Sequence, residues 1–250
     1  MGEFQDKICV VTGGSRGIGG AAARRFCEEG ATCFIVSRTA RDVNEYAEKL
    51  RNEGYNARGL PGDVGNYEEI KRMTKEVMDQ CGKIDVLVNA AGILRRKAGL
   101  EQTEEDWDAV VDINLKGAYF FSVEAARCMI AAGSGAIVNI SSIQSHLVVQ
   151  ERSVYAATKG GMNKFTAGLA NEWGSAGIRI NSISPGFIAT EMVMKVMNPE
   201  LEEYIKRTHP LGRPGTPQEV AEAILFLASP RAAFITGIDL SVDGGFSTTK

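Results

Sequence analysis

Ile8-Cys9-Val10-Val11-Thr12-Gly13-Gly14-Ser15-Arg16-Gly17-Ile18-Gly19-Gly20 changes character twice. Residues 8–11 are a short apolar, largely β-branched run of the kind a buried strand needs. Glycines end it, and from Ile18 onward Ala22 and Phe26 share one helical face until Gly30 supplies a stop. A second apolar run over 32–36 ends at Ser37-Arg38. Strand, glycine-rich turn, helix and strand in that order make the unit that cradles a dinucleotide pyrophosphate. Gly13 permits the tight turn, Gly17 lets the backbone approach the phosphates, and Gly19 lets helix and strand pack closely, with Ser15, Arg16 and Ile18 in the same turn. The spacing G-x-x-x-G-x-G is one residue wider than the common fingerprint. Its place after a strand and at the opening of a helix separates it from an ordinary glycine turn.

The alternation continues outward. Val43, Ala47 and Leu50 define a helix, and 55–60 an irregular third strand before Gly62-Asp63-Val64. Ile70, Met73, Val77 and Cys81 define the next helix, and 86–88 a buried strand ending in Asn89-Ala90-Ala91-Gly92. Small residues there leave room for a ring system at the carboxyl edge of a sheet. Thr103 with Asp106 forms a capping-box pattern that opens a helical segment through Trp107, Asn114 and Phe120. Strands are expected over 136–140, 178–183 and 238–242, with a helical face of Val220, Ala223, Ile224 and Leu227 before the last. Over 187–215 the rhythm fails. Met192, Val193, Met194, Val196 and Met197 crowd into a stretch closed by Pro199, which reads equally as a core-packed insertion or a lid over substrate. Seven strands alternating with helices predict one α/β domain over residues 1–250, doubly wound on a seven-stranded parallel sheet.

The bulk properties exclude several classes. A net charge of -3 and no basic stripe argue against nucleic acid as a partner. Five scattered cysteines without metal-ligand spacing read as reduced, half-buried or core thiols, so no metal is expected and the compartment is reducing, hence cytoplasmic. Neither a signal peptide nor a membrane-spanning apolar run is visible, so no membrane partner is expected.

On the segment Ser153-Val154-Tyr155-Ala156-Ala157-Thr158-Lys159-Gly160, a phenol and an ammonium lie four residues apart on one helical face. With Thr12-Gly13-x-x-x-Gly17-x-Gly19, Asn89-Ala90-Ala91-Gly92, Asn114, Ser142 and Pro185-Gly186 in order along the whole chain, the sequence resembles the short-chain dehydrogenase/reductase family in its single-domain form. One departure is Ala90, where the family more often carries a second Asn. The resemblance implies a Rossmann fold and carries roles position by position. Tyr155 would be the general acid in ketone reduction and the base in alcohol oxidation. Lys159 would hold the cofactor ribose and lower the phenol pKa. Ser142 would hydrogen-bond the substrate oxygen, with Ser141 as a competing candidate, and Asn114 would hold a water linking Lys159 to solvent. Asp63 and Val64 would flank the adenine, and Ile188 and Thr190, after Pro185-Gly186, would bind the nicotinamide amide and nearby phosphate. Family members usually assemble as tetramers, and the small residues Gly160, Gly161, Ala167, Gly168 and Ala170 would let this helix pack on a second copy.

An acidic residue closing the second strand would favour NAD by binding the 2′-hydroxyl. This chain has Ser37-Arg38 there, and Arg16 in the glycine loop, so two guanidinium groups suit a 2′-phosphate and NADP(H) is expected over NAD(H). Two subgroups resemble the chain: sugar-acid or polyol dehydrogenases of the gluconate 5-dehydrogenase type, and 3-oxoacyl-carrier-protein reductases. The segments 89–96 and 142–146 lean toward the first, with Arg95 or Arg96 facing a sugar-acid carboxylate and Gln144, His146 and Met192 as further substrate candidates. A cofactor-binding scaffold without catalysis is the reading from another class, and the intact Asn114, Ser142, Tyr155 and Lys159 count against it.

Overall fold

The computed structural model describes residues 2–249, apart from the side chains of Met192 and Thr249. Seven parallel strands form one sheet in the order β3-β2-β1-β4-β5-β6-β7. They are β1 (Ile8–Thr12), β2 (Thr32–Ser37), β3 (Ala57–Pro61), β4 (Val86–Asn89), β5 (Gly135–Ile140), β6 (Ile178–Pro185) and β7 (Asp239–Val242). The order turns back between β1 and β4, so the connections after these two strands leave in opposite directions and open a crevice at their carboxyl ends. Register brings Thr12 opposite Asn89, which sets the glycine loop beside the 89–92 turn.

Strand residues alternate between two cores, one on each face of the sheet. Cys9, Val11, Cys33 and Ile35 join one core with Phe26 of α1 (Gly17–Glu28), Val43, Ala47 and Leu50 of α2 (Ala40–Asn52), and helix α9 (Pro217–Ala228). Ile8, Val10, Phe34 and Val36 join the other, with Ile70, Met73 and Val77 of α3 (Tyr67–Cys81) and Phe121, Ala125 and Met129 of α5 (Ala118–Ala132). Burial on both faces explains why the strands read as continuous apolar runs.

The predicted capping box is present: Thr103 Oγ1 accepts from Asp106 N, and the Asp106 carboxylate accepts from Thr103 N at the start of α4 (Glu104–Val111). Between α4 and α5 the backbone opens into a π-helical stretch, Asp112–Gly117, that carries Asn114. Such widened turns recur at functional sites. Helix α6 (Ser153–Trp173) follows β5 and bears Tyr155 and Lys159. The irregular 187–215 segment contains two helices, α7 (Glu191–Met194) and α8 (Pro199–Thr208). Pro199 does not close this stretch but opens α8 from its first turn, with Asn198 Oδ1 accepting from Leu201 N as N-cap. Both ends of the segment are pinned together: Ala189 N donates to Gly215 O and Gly215 N to Phe187 O.

Some small residues of α6 serve this chain's own packing. Gly161 lies under Leu115 and Ala170 is buried, whereas Gly168 faces open space. The five cysteines are unpaired thiols. No helix among the described residues is long and apolar enough to cross a membrane, and none of their His, Cys, Asp and Glu side chains cluster as a metal site.

Candidate active site

Gly13 leaves β1 with φ 61, and a Cβ there would lie 2.8 Å from the Ala90 carbonyl oxygen. A left-handed backbone and a close approach to the 89–92 turn both demand glycine. At Gly19 a Cβ would lie 2.4 Å from the Gly13 carbonyl oxygen, so α1 packs against the turn as its spacing predicts. Thr190 meets the same loop, with Cγ2 3.6 Å from the position a Gly17 Cβ would take. Thr12 has a role that its place in the motif did not announce: its Oγ1 accepts from Ala90 N (3.0 Å) and Ala91 N (3.1 Å), stitching the two crevice walls together.

The crevice suits a long anionic ligand. Arg16 and Arg38 are exposed at its rim, and neither forms an ion pair within 4.0 Å among the described residues. Ser37 closes β2 beside them. Asp63 Oδ1 accepts from Gly65 N and shapes the turn after β3, where Val64 is buried. The Asn89 amide does not face the crevice. It donates to Ala118 O, Ser122 Oγ and Asn139 Oδ1 in a buried network beneath the 89–92 turn. Pro185 ends β6, Gly186 N donates to Val242 O, and Ile188 is buried next to its bridge with Gly215.

Beyond the crevice, a Cβ on Gly92 would lie 3.4 Å from Asn114 Oδ1 and 3.8 Å from Lys159 Nζ, which brings three separate motifs together. Asn114 holds Ile93 by both amide atoms: Oδ1 accepts from Ile93 N (2.8 Å) and Nδ2 donates to Ile93 O (2.9 Å). Nδ2 also donates to Thr158 Oγ1 of α6 at 3.5 Å, so the side chain ties the loop after β4 to that helix. Lys159 is buried, and its Nζ donates to Ile140 O at 2.6 Å and lies 5.7 Å from the centre of the Tyr155 ring.

Burial lowers the Lys159 ammonium from an ordinary 10.5 to about 8. A folded-state value below the unfolded one means that the charge opposes folding. The penalty, roughly 3 kcal/mol, is present in full below pH 8 and relaxes as pH rises toward 10.5. Tyr155 is half-buried, and burial pushes its phenol up, against downward pulls from a hydrogen bond with Ser142 and the charge of Arg152. The same burial thus lowers the ammonium and raises the phenol, each toward its neutral form.

Of the two serines after β5, Ser141 directs its hydroxyl to Lys159 O inside α6. Ser142 interacts with the phenol and also accepts from Gln144 N at 3.2 Å. The candidate substrate residues are distributed differently from expectation. Arg95 does not stand free, because its Nη1 meets Asp106 Oδ1 at 2.7 Å, and Lys97 Nζ meets Asp106 Oδ2 at 2.5 Å. Arg96 pairs with Glu151 at 3.4 Å. His146 turns its Nε2 to Asp239 Oδ2, 2.7 Å away. Asp239 also accepts from Ser182, Ser184 and Asn163, and Asn163 donates to Ser145 Oγ, whose hydroxyl donates to Ser142 O. The turn that carries Ser142 is thus anchored to β7, a link that residues so distant in sequence could not announce. Met192 lies in α7, with its side chain outside the described residues.

Known proteins resemble this arrangement over nearly its whole length. Residues 13–247 match a family described as "Enoyl-(Acyl carrier protein) reductase". A 3-oxoacyl-[acyl-carrier-protein] reductase of Thermotoga maritima is 39% identical, covering 97% of this chain and 98% of its own. A galactitol 2-dehydrogenase (L-tagatose-forming) of Cereibacter sphaeroides is 38% identical, covering 97% and 96%. The crystal structure of a gluconate 5-dehydrogenase from Burkholderia cenocepacia, in complex with NADP and tartrate, superposes with a TM-score of 0.94 at 35% identity, covering 99% and 98%.

The Asp106 carboxylate is held well below the usual range by Lys97, Arg95 and Thr103 and ties the loop after β4 to α4. Asp106→Asn should free that loop, and backbone amides of 93–98 should then exchange with deuterium at least about 10-fold faster, read by mass spectrometry. Unchanged exchange there would mean that the pairs do not hold the loop.

Proposed function

The chain belongs to the short-chain dehydrogenase/reductase family and is an oxidoreductase that uses a nicotinamide cofactor; from that premise we propose that it interconverts a ketone and a secondary alcohol with NADP(H), Tyr155 moving the proton. The observation that carries the proposal is the meeting of Gly92, Asn114, Ser142, Tyr155 and Lys159 at the carboxyl ends of β4 and β5.

The dinucleotide would be held by the loop of Gly13, Ser15, Arg16, Gly17, Ile18 and Gly19, with Ser37 and Arg38 at the adenosine end and Asp63 and Val64 beside the adenine. Ala90, Ala91, Gly92, Pro185, Gly186, Ile188 and Thr190 would line the nicotinamide end. When bound, the nicotinamide supplies or accepts the hydride. During reduction, negative charge develops on the substrate oxygen, and the Ser142 and Tyr155 hydroxyls are positioned to meet it. A phenol kept protonated by burial suits proton donation at neutral pH. The phenolate left behind is stabilised by the Lys159 ammonium while that group keeps its charge, which it does below about pH 8. Asn114, which fixes Ile93 beside Gly92, would position the water that links Lys159 to solvent.

A polar hydroxy compound of the sugar-acid or polyol kind is the favoured substrate. Support comes from the gluconate 5-dehydrogenase and galactitol 2-dehydrogenase relatives. Reduction of a 3-oxoacyl thioester is the second reading, favoured by the relatives that carry that name. Turnover of gluconate and galactitol with NADP, against acetoacetyl thioester with NADPH, discriminates the two.

Tyr155→Phe should lower kcat/KM by about 100-fold or more while leaving NADPH affinity close to that of the parent. In the parent, kcat/KM for reduction should hold steady below pH 7 and fall as pH rises through about 8, where Lys159 loses its charge. A phenylalanine variant of undiminished turnover would refute the mechanism. Arg38→Asp should shift the ratio of kcat/KM for NADPH over NADH toward NADH by about 10- to 100-fold. An unmoved ratio would refute the NADP assignment.

A further inference from the structure

We infer that Arg152 is an anion-binding residue of the substrate site and that the substrate carries a carboxylate beside its reacting carbon chain; this rests on Tyr155 being the proton-transfer group. Four basic residues come from the two segments bordering the start of α6, and three have carboxylate partners. Arg95 and Lys97 share Asp106, and Arg96 has Glu151. Arg152 makes no ion pair within 4.0 Å among the described residues, and its Nε is buried without a hydrogen-bond partner. A half-buried guanidinium without an anion is an unfavourable arrangement that an arriving carboxylate relieves, through a fork that fits it with two parallel hydrogen bonds.

Its position fits a substrate contact. Arg152 caps α6 one turn before Tyr155, and its charge acts on the phenol. Its own pKa is pushed down by burial and then by the like charge of Arg96, with Glu151 a weaker attraction in the opposite sense. Glu151 sits at φ 63, a left-handed conformation that non-glycine residues seldom adopt. Its carboxylate is turned to Arg96, and its carbonyl accepts from Lys97 N at 3.1 Å. The strained turn thus fastens the 93–98 loop and directs the neighbouring Glu151 carboxylate to Arg96. Gln144, on the turn that begins at Ser142, keeps a buried Oε1 with no donor, which a substrate hydroxyl would satisfy. An unmatched guanidinium one turn before the phenol and an unmatched acceptor on the Ser142 turn together describe a hydroxy carboxylate.

Calorimetric titration of gluconate, and of sorbitol as its uncharged counterpart, into NADP-saturated protein tests this without relying on turnover. Gluconate should bind the parent at least about 10-fold more tightly than sorbitol. Arg152→Gln should weaken gluconate by about 30-fold or more and abolish that preference, and Arg152→Lys should fall between. Equal binding of the two ligands, no binding of gluconate, or full retention of the preference in Arg152→Gln would overturn the inference. Tyr155→Phe separates the two readings: if it keeps gluconate affinity and turnover alike, the proton-transfer reading fails while the Arg152 site stands.

Discussion

A single ammonium group buried at the end of β5 sets the terms for the rest of the site. Lys159 has the Ile140 carbonyl against its Nζ and a phenol ring close by, and burial holds its pKa near 8. Keeping a charge in such a place opposes folding, so the surrounding packing must offset it. Two cores on the faces of the sheet do so, and the strand ends between them are where the chain can tolerate groups that packing alone would not select.

The constraint reaches outward through hydrogen bonds instead of apolar contacts. Asn114 clamps Ile93 from a π-helical stretch, so the loop after β4 is fixed against the lysine. Thr12 fastens the same turn to the end of β1, which ties the glycine loop to the proton-transfer groups. Asp239 secures the turn of Ser142 from β7. Each motif thus depends on a residue from another strand end, and the site exists only when the sheet is complete.

The sheet was legible in the sequence because strands buried on both faces leave unbroken apolar runs, and glycine turns marked their ends. Boundaries drifted by a residue or two, as at β3, which begins at Ala57 and not at 55. Helix α8 was hidden because Pro199 read as a breaker, although after an Asn it is equally a first-turn residue. Tyr155 and Lys159 were visible as an i, i+4 pair. The partnering of the arginines was not, because charge on paper says nothing about which carboxylate lies nearby. Arg95 looked available and is engaged by Asp106, whereas Arg152, which no motif marked, is left without an anion. The phenol shift was likewise beyond reach, because it follows from burial in the folded chain.

The site turns on the buried charge of Lys159. Titration of lysine side chains labelled with carbon-13 at the ε position, with Lys159→Met to assign the resonance, reads it directly by nuclear magnetic resonance. A Lys159 midpoint near pH 8 is the predicted result. A midpoint at the ordinary lysine value of about 10.4 would show that the ammonium is solvated, and the proposed basis for the site would be wrong.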